Sequence, residues 1–141
     1  PQLMAPAYPS ALLARALPLM TRAHPRLLAS GRFYLAEAEG EPLGCGGWSF
    51  ERPGTTETVA GLAHIRHFAV RADRTGRGVG RALYRRCEEE ARAAGARTFE
   101  CWSSLNGEAF YAALGFERVG AIEVPMGPDV KLPSIRMRRA L

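Results

Sequence analysis

Residues 64–80 read HIRHFAVRADRTGRGVG, and this stretch decides the fold. His64 to Val70 carries Ile, Phe and Val and predicts a strand. Arg71 to Thr75 is polar. Gly76-Arg77-Gly78-Val79-Gly80 is a glycine loop, and from Arg81 to Ala94 the pattern becomes helical. Val79, Leu83, Cys87, Ala91 and Ala94 mark one face of that helix, and Gly95 is a natural stop. Arg97 to Trp102 predicts another strand. A strand, a helix and a strand in succession demand a parallel crossover.

Downstream, Ser103 and Ser104 precede a predicted helix from about Asn106 to Leu114, stopped by Gly115. Arg118–Val124 and Ile135–Arg139 predict the last strands, joined by a Pro/Gly loop. Upstream, residues 51–61 are a Pro/Gly/Thr-rich loop. Before it, an alternating run from Gly31 puts Phe33, Leu35 and Glu37 on one face and Tyr34, Ala36 and Ala38 on the other. Gly40-Glu41-Pro42 predicts a turn into a second strand, Leu43–Phe50, which makes a hairpin. At the start, SALLARAL (Ser10–Leu17) predicts a short helix capped by Ser10 and stopped by Pro18. A second helical piece spans Leu19–Ala29, interrupted near Pro25. Hairpins on both sides of a parallel crossover make the sheet mixed, so the class is α/β or α+β. The 141 residues suit one domain, residues 1–141.

A strand that ends in glycines and feeds a helix is an anion-binding arrangement. Free N–H groups converge at the helix start, and the helix dipole favours negative charge. The dinucleotide fingerprint G-x-G-x-x-G fails, because Arg81 or Leu83 stands where its third glycine belongs. The P-loop fails for want of Gly-Lys-Ser/Thr. What fits is R/Q-x-x-G-x-G/A, over Thr75-Gly76-Arg77-Gly78-Val79-Gly80.

Two more features follow at consistent distances: Asn106, and Phe110-Tyr111-Ala112-Ala113-Leu114-Gly115-Phe116 with its Tyr-x-x-x-Gly-Phe ending. Together these resemble the GNAT family of N-acetyltransferases over about residues 30–139, most specifically Val70 to Phe116. The resemblance implies the GNAT fold: a central mixed, mostly antiparallel sheet flanked by helices, with a β-α-β acetyl-CoA-binding core. It also implies a first strand ahead of Pro1. By resemblance, the amides of Gly76, Arg77, Gly78, Val79, Gly80 and Arg81 bind the pyrophosphate of acetyl-CoA. Phe68 and Val70 pair with the pantetheine arm, and an N–H near Val70 polarises the acetyl carbonyl. Asn106 corresponds to a family residue near the pantetheine, and Tyr111 to the family's general acid, which protonates the leaving thiolate. One departure is plain: Thr75 stands where the family has Arg or Gln, with Arg74 and Arg77 near enough to compensate. Backbone contacts do not need that side chain.

The implied reaction is direct transfer from a thioester to a primary amine. Such an amine is mostly protonated at pH 7 and must lose a proton to attack. Several family members carry a carboxylate on the strand, six residues before its final Val; here that position is His64, a candidate general base. Alternation puts Arg66 and Phe68 on the face of His64, with Ile65, His67 and Ala69 opposite. A structural role remains open for His64, and His67 reads as structural. Glu51 and Glu57 are loop acids and backup bases. Arg66 would meet an acidic substrate group or pair with a nearby acid.

Of the 19 basic residues 18 are Arg, and Lys131 is the single Lys. The net charge is +5, but the stretch from Arg66 to Arg86 holds seven Arg and one acid, for +6, and the remainder sums to −1. This is the charge of a local phosphate clamp, and it argues against a nucleic-acid partner. No apolar run is long enough to span a membrane. Cys45, Cys87 and Cys101 show neither zinc spacing nor a disulfide pattern and read as reduced, buried hydrophobes, so no metal is expected. Without a signal-peptide layout, a cytoplasmic protein is expected. The partners expected are acetyl-CoA and an amine acceptor, with a homodimer compatible with the family. The competing reading is a GNAT-fold sensor or scaffold that holds acyl-CoA without turnover.

Overall fold

The computed structural model describes residues 4, 6–20, 25–71, 76 and 78–141. Thr75 and Arg77 of the loop, and Arg74 before it, lie outside the described residues. The elements run α1 (Ser10–Met20), α2 (Pro25–Ala29), β1 (Phe33–Ala38), β2 (Glu41–Ser49), β3 (Leu62–Val70), α3 (Val79–Ala93), β4 (Thr98–Ser104), a 3₁₀ turn (Leu105–Gly107), α4 (Glu108–Ala113), β5 (Glu117–Gly127) and β6 (Val130–Ala140). The six strands form a mixed sheet in the order β1-β2-β3-β4-β6-β5. The chain divides into two compact units, Pro1–Arg22 with Cys101–Arg139, and Ala23–Glu100 with Ala140–Leu141.

The larger unit holds the predicted crossover. β3 and β4 are parallel, with Leu62↔Thr98, Ala63↔Phe99 and His64↔Glu100 paired, and β3 runs on to Val70. The helix between them, α3, buries Gly80, Leu83, Tyr84, Cys87 and Ala91, while Ala94, expected on that face, is exposed as its C-cap. Gly95 has φ 98°, the left-handed stop its sequence predicts. Tyr84 packs on Phe99 with ring centroids 6.0 Å apart, which fixes α3 against one face of the sheet. β1 and β2 form the predicted hairpin, but the turn lies at Glu39-Gly40, both at positive φ (53° and 80°), and Pro42 is inside β2. Two positive-φ residues make a two-residue turn whose twist matches the strands. Pro42 is tolerated because the β2–β3 ladder starts only at Gly44.

In the smaller unit, Tyr8, Leu13 and Leu132 form the core, with Met4, Leu12, Met126 and Val130 packed against them. Here α1 continues past Pro18 to Met20 rather than ending before it. Proline removes one hydrogen bond, but its fixed φ is already helical. β5 and β6 are both longer than expected and pair from Glu117↔Arg138 to Gly127↔Val130, so the anticipated Pro/Gly loop shrinks to a tight turn. The predicted helix at Asn106 begins instead as a 3₁₀ turn, and α4 starts at Glu108. Ser103 and Ser104 belong to β4.

Candidate functional site

The start of α3 leaves backbone N–H groups without intrahelical partners. Gly78, its N-cap, has φ 81°, a left-handed conformation that glycine adopts without strain. Ala82 N donates to Gly78 O at 2.9 Å, so the N–H groups of Val79, Gly80 and Arg81 precede the first intrahelical bond. The first turn contains no acid to neutralise the helix dipole. A feature outside the glycine loop seats this end of the helix. A Cβ on Gly44 of β2 would lie 2.8 Å from Ala69 O, 3.1 Å from Val79 Cγ1 and 3.4 Å from Leu83 Cδ1. Only a glycine there lets the helix start lie against the end of β3. LGCGG (43–47) gives no hint of this, because the contact is tertiary.

β3 itself is irregular. His67 has φ 52°, and the β2–β3 register slips between Cys45↔Ala69 and Gly47↔Arg66. The extra residue is a bulge, so two-residue counting from His64 does not extend to Phe68. The Phe68 ring covers Gly46, where a Cβ would lie 2.5 Å from it. Past the bulge, Arg71 N donates to Leu43 O at 2.8 Å. Alternation along the strand therefore turns the Val70 N–H away from β2.

Before the bulge, alternation holds. Ser49 is paired with His64, and His64 with Glu100, so the three side chains share a face. It is the face away from α3, since Phe99 takes the other side against Tyr84. Ser49, His64 and Glu100 are 5%, 3% and 4% exposed. His64 Nδ1 lies 3.4 Å from Glu100 Oε2. Arg66, half-buried on the same face, donates from Nη1 to Ser49 Oγ at 2.9 Å, and Ser49 Oγ donates to Glu51 O at 2.8 Å. Burial pushes the Arg66 guanidinium below its usual range, and the charge of Glu51 partly offsets this. Glu57 is exposed and pairs with Arg52 at 3.5 Å. Glu100 was invisible as a functional candidate, because one acid in TFECWSS reads as an ordinary strand residue until the parallel register sets it beside His64.

The smaller unit carries the other two predicted residues. Asn106 is exposed on the 3₁₀ turn, and Tyr8 Oη fixes that turn by accepting from Leu105 N at 2.7 Å and donating to Pro133 O at 2.7 Å. Tyr111, on α4, is 8% exposed and stacks edge-on with Phe110 and Phe116 at 5.1 and 5.5 Å. Cys45, Cys87 and Cys101 are all unbridged. Burial pushes the Cys87 thiol up to about 12 and raises Cys45 as well. Among the described residues no group of three or more His, Cys, Asp or Glu could hold a metal, and no helix is long and apolar enough to cross a membrane. A cavity of about 370 Å³ at the opposite end of the crossover, lined by Phe50, Thr58, Val59 and Gly95 among others, has no titratable lining and does not compete with this site.

Residues 29–118 match the family described as acetyltransferase (GNAT) domain. No curated protein matches the chain in sequence. Among solved structures, the chain is similar to a GCN5-related N-acetyltransferase from Rhodopseudomonas palustris (24% identity, TM-score 0.75), covering 99% of this chain and 81% of that one. It is also similar to an aminoglycoside 6'-N-acetyltransferase complexed with coenzyme A (17%, TM-score 0.66; 93% and 87%). A third is yncA from Salmonella typhimurium with its cofactor acetyl-CoA (19%, TM-score 0.60; 77% and 64%).

Proposed function

The chain belongs to the GNAT acetyltransferase family, and from that premise we propose that it moves an acetyl group from acetyl-CoA to a primary amine by direct attack. The observation that carries this is the seated start of α3: a left-handed Gly78, three N–H groups ahead of the first intrahelical bond, and no acid in the first turn. These residues fit a phosphate-bearing ligand. The amides of Gly76, Gly78, Val79, Gly80 and Arg81 would hold the pyrophosphate, with Arg77 continuing the loop. Phe68 and Val70 would line the pantetheine arm, and Asn106 is proposed as a further cofactor-binding residue. Acetyl-CoA supplies an acetyl group activated as a thioester.

The chain's own residues then manage protons and charge. His64 accepts the proton that the amine must lose before its nitrogen can attack. Glu100 Oε2, 3.4 Å from Nδ1, offsets the positive charge that His64 gains as it accepts that proton. The Val70 N–H, turned away from β2, donates to the carbonyl oxygen as negative charge develops there. Tyr111 gives its proton to the departing sulfur as the C–S bond breaks and the C–N bond forms.

Calorimetry with acetyl-CoA tests the assignment. The wild-type chain is expected to bind acetyl-CoA, and Gly78→Glu to abolish binding through repulsion and strain at the helix start. Unchanged affinity in that variant would defeat the loop assignment.

A further inference from the structure

Arg66 is a half-buried cation whose one hydrogen bond among the described residues is to a neutral hydroxyl. Taking a guanidinium out of water is costly unless complementary charge meets it. The charge acting on it, that of Glu51, sits on an exposed loop residue and makes no ion pair with it among the described residues. The arrangement is nonetheless ordered. Ser49 commits its proton to Glu51 O, so its oxygen is left to accept from Arg66, and Nη1 is fixed. Among the described residues the side-on pair of donors, Nε and Nη2, then remains for a partner. That fork matches the two oxygens of a planar carboxylate.

Position adds a second constraint. Arg66 stands two residues after His64 on an unbulged part of β3, so their Cα atoms are about 6–7 Å apart on one face. Ser49 and Glu100 complete this face, and Glu100 is held beside His64 at 3.4 Å. A small molecule reaching both residues would place its nitrogen near the imidazole and an anionic group near the guanidinium.

We propose that Arg66 binds a carboxylate on the acceptor, so that the substrate class is amines bearing a carboxylate close to the nitrogen, amino acids in the simplest case. The proposal rests on the acetyl-transfer reading for the word acceptor, but its test does not depend on turnover.

The measurement is calorimetry on the full chain in the presence of CoA. The probes are the N-acetyl protein amino acids and their matched N-acetyl carboxamides. At least one carboxylate is expected to bind wild type about 10- to 100-fold more tightly than its amide, the range for hydrogen bonds to a charged partner. In Arg66→Gln that preference is expected to fall below about 3-fold, with the Tm showing that the variant folds. Equal binding of every acid and amide, or no binding of any, overturns the proposal. So does a preference that survives in Arg66→Gln. If that variant does not fold, the wild-type comparison decides alone. Thiol release from acetyl-CoA with the parent amines is scored separately: its absence throughout would count against acetyl transfer, and a carboxylate preference in binding would stand regardless.

Discussion

At the residue scale, each proposed role separates from packing by a substitution that keeps shape. Tyr111 is buried among Phe110 and Phe116, so Tyr111→Phe retains the ring contacts and removes only the hydroxyl. Turnover is expected to drop about 10- to 10⁴-fold with little change in acetyl-CoA affinity. Unchanged turnover in steady-state assays would remove Tyr111 from the acid role. Cys87 gives a pH test of the core. Its thiol, about 12 when folded, ionises in the unfolded chain near 9.0. The unfolded state therefore binds fewer protons between those values, and stability is expected to be full below about pH 9 and to fall as pH rises towards 12. Cys87→Ala is expected to flatten that slope in urea titrations at high pH, and a slope identical to wild type would refute the assignment. The sequence showed His64 and Tyr111 through family spacing. It could not show Glu100 or Ser49, whose meaning arises only when β2, β3 and β4 pair and set them on the face of His64.

At the element scale, the bulge in β3 depends on Gly46. A methyl group there would meet the Phe68 ring at 2.5 Å, so Gly46→Ala is expected to cost about 1–3 kcal/mol in urea unfolding. No loss would mean that Phe68 does not lie over Gly46. The crossover, the left-handed end of α3 and the first hairpin were legible because each has a local signature: periodicity of 3.6, a stop glycine, alternation across a turn. Two of the differences arise because tertiary pairing outvoted local preference. Pro125 and Gly127 read as loop, yet β5 carries them because it ends the sheet and an outer strand tolerates a missing N–H. Asn106 reads as the start of an α-helix, yet Tyr8, nearly a hundred residues earlier in the chain, holds Leu105 N and tightens the turn. His67 in left-handed backbone has no sequence signal at all.

At the scale of the whole molecule, charge and chemistry converge. The +6 stretch from Arg66 to Arg86 contains β3 beyond His64, the loop and the first half of α3, and the rest of the sequence sums to −1. Binding of a polyanion such as acetyl-CoA is therefore expected to weaken several-fold when NaCl rises from about 50 to 300 mM, as screening shortens the reach of those arginines. A dissociation constant indifferent to salt would mean that the arginines do not face the ligand. The most direct test of the account is a thiol-release screen of primary amines with acetyl-CoA, with products identified by mass. Free CoA is expected in equal amount to an acetylated amine. Tight acetyl-CoA binding with no thiol release above the hydrolytic background from any amine would contradict it, and would leave a protein that holds the thioester without using it.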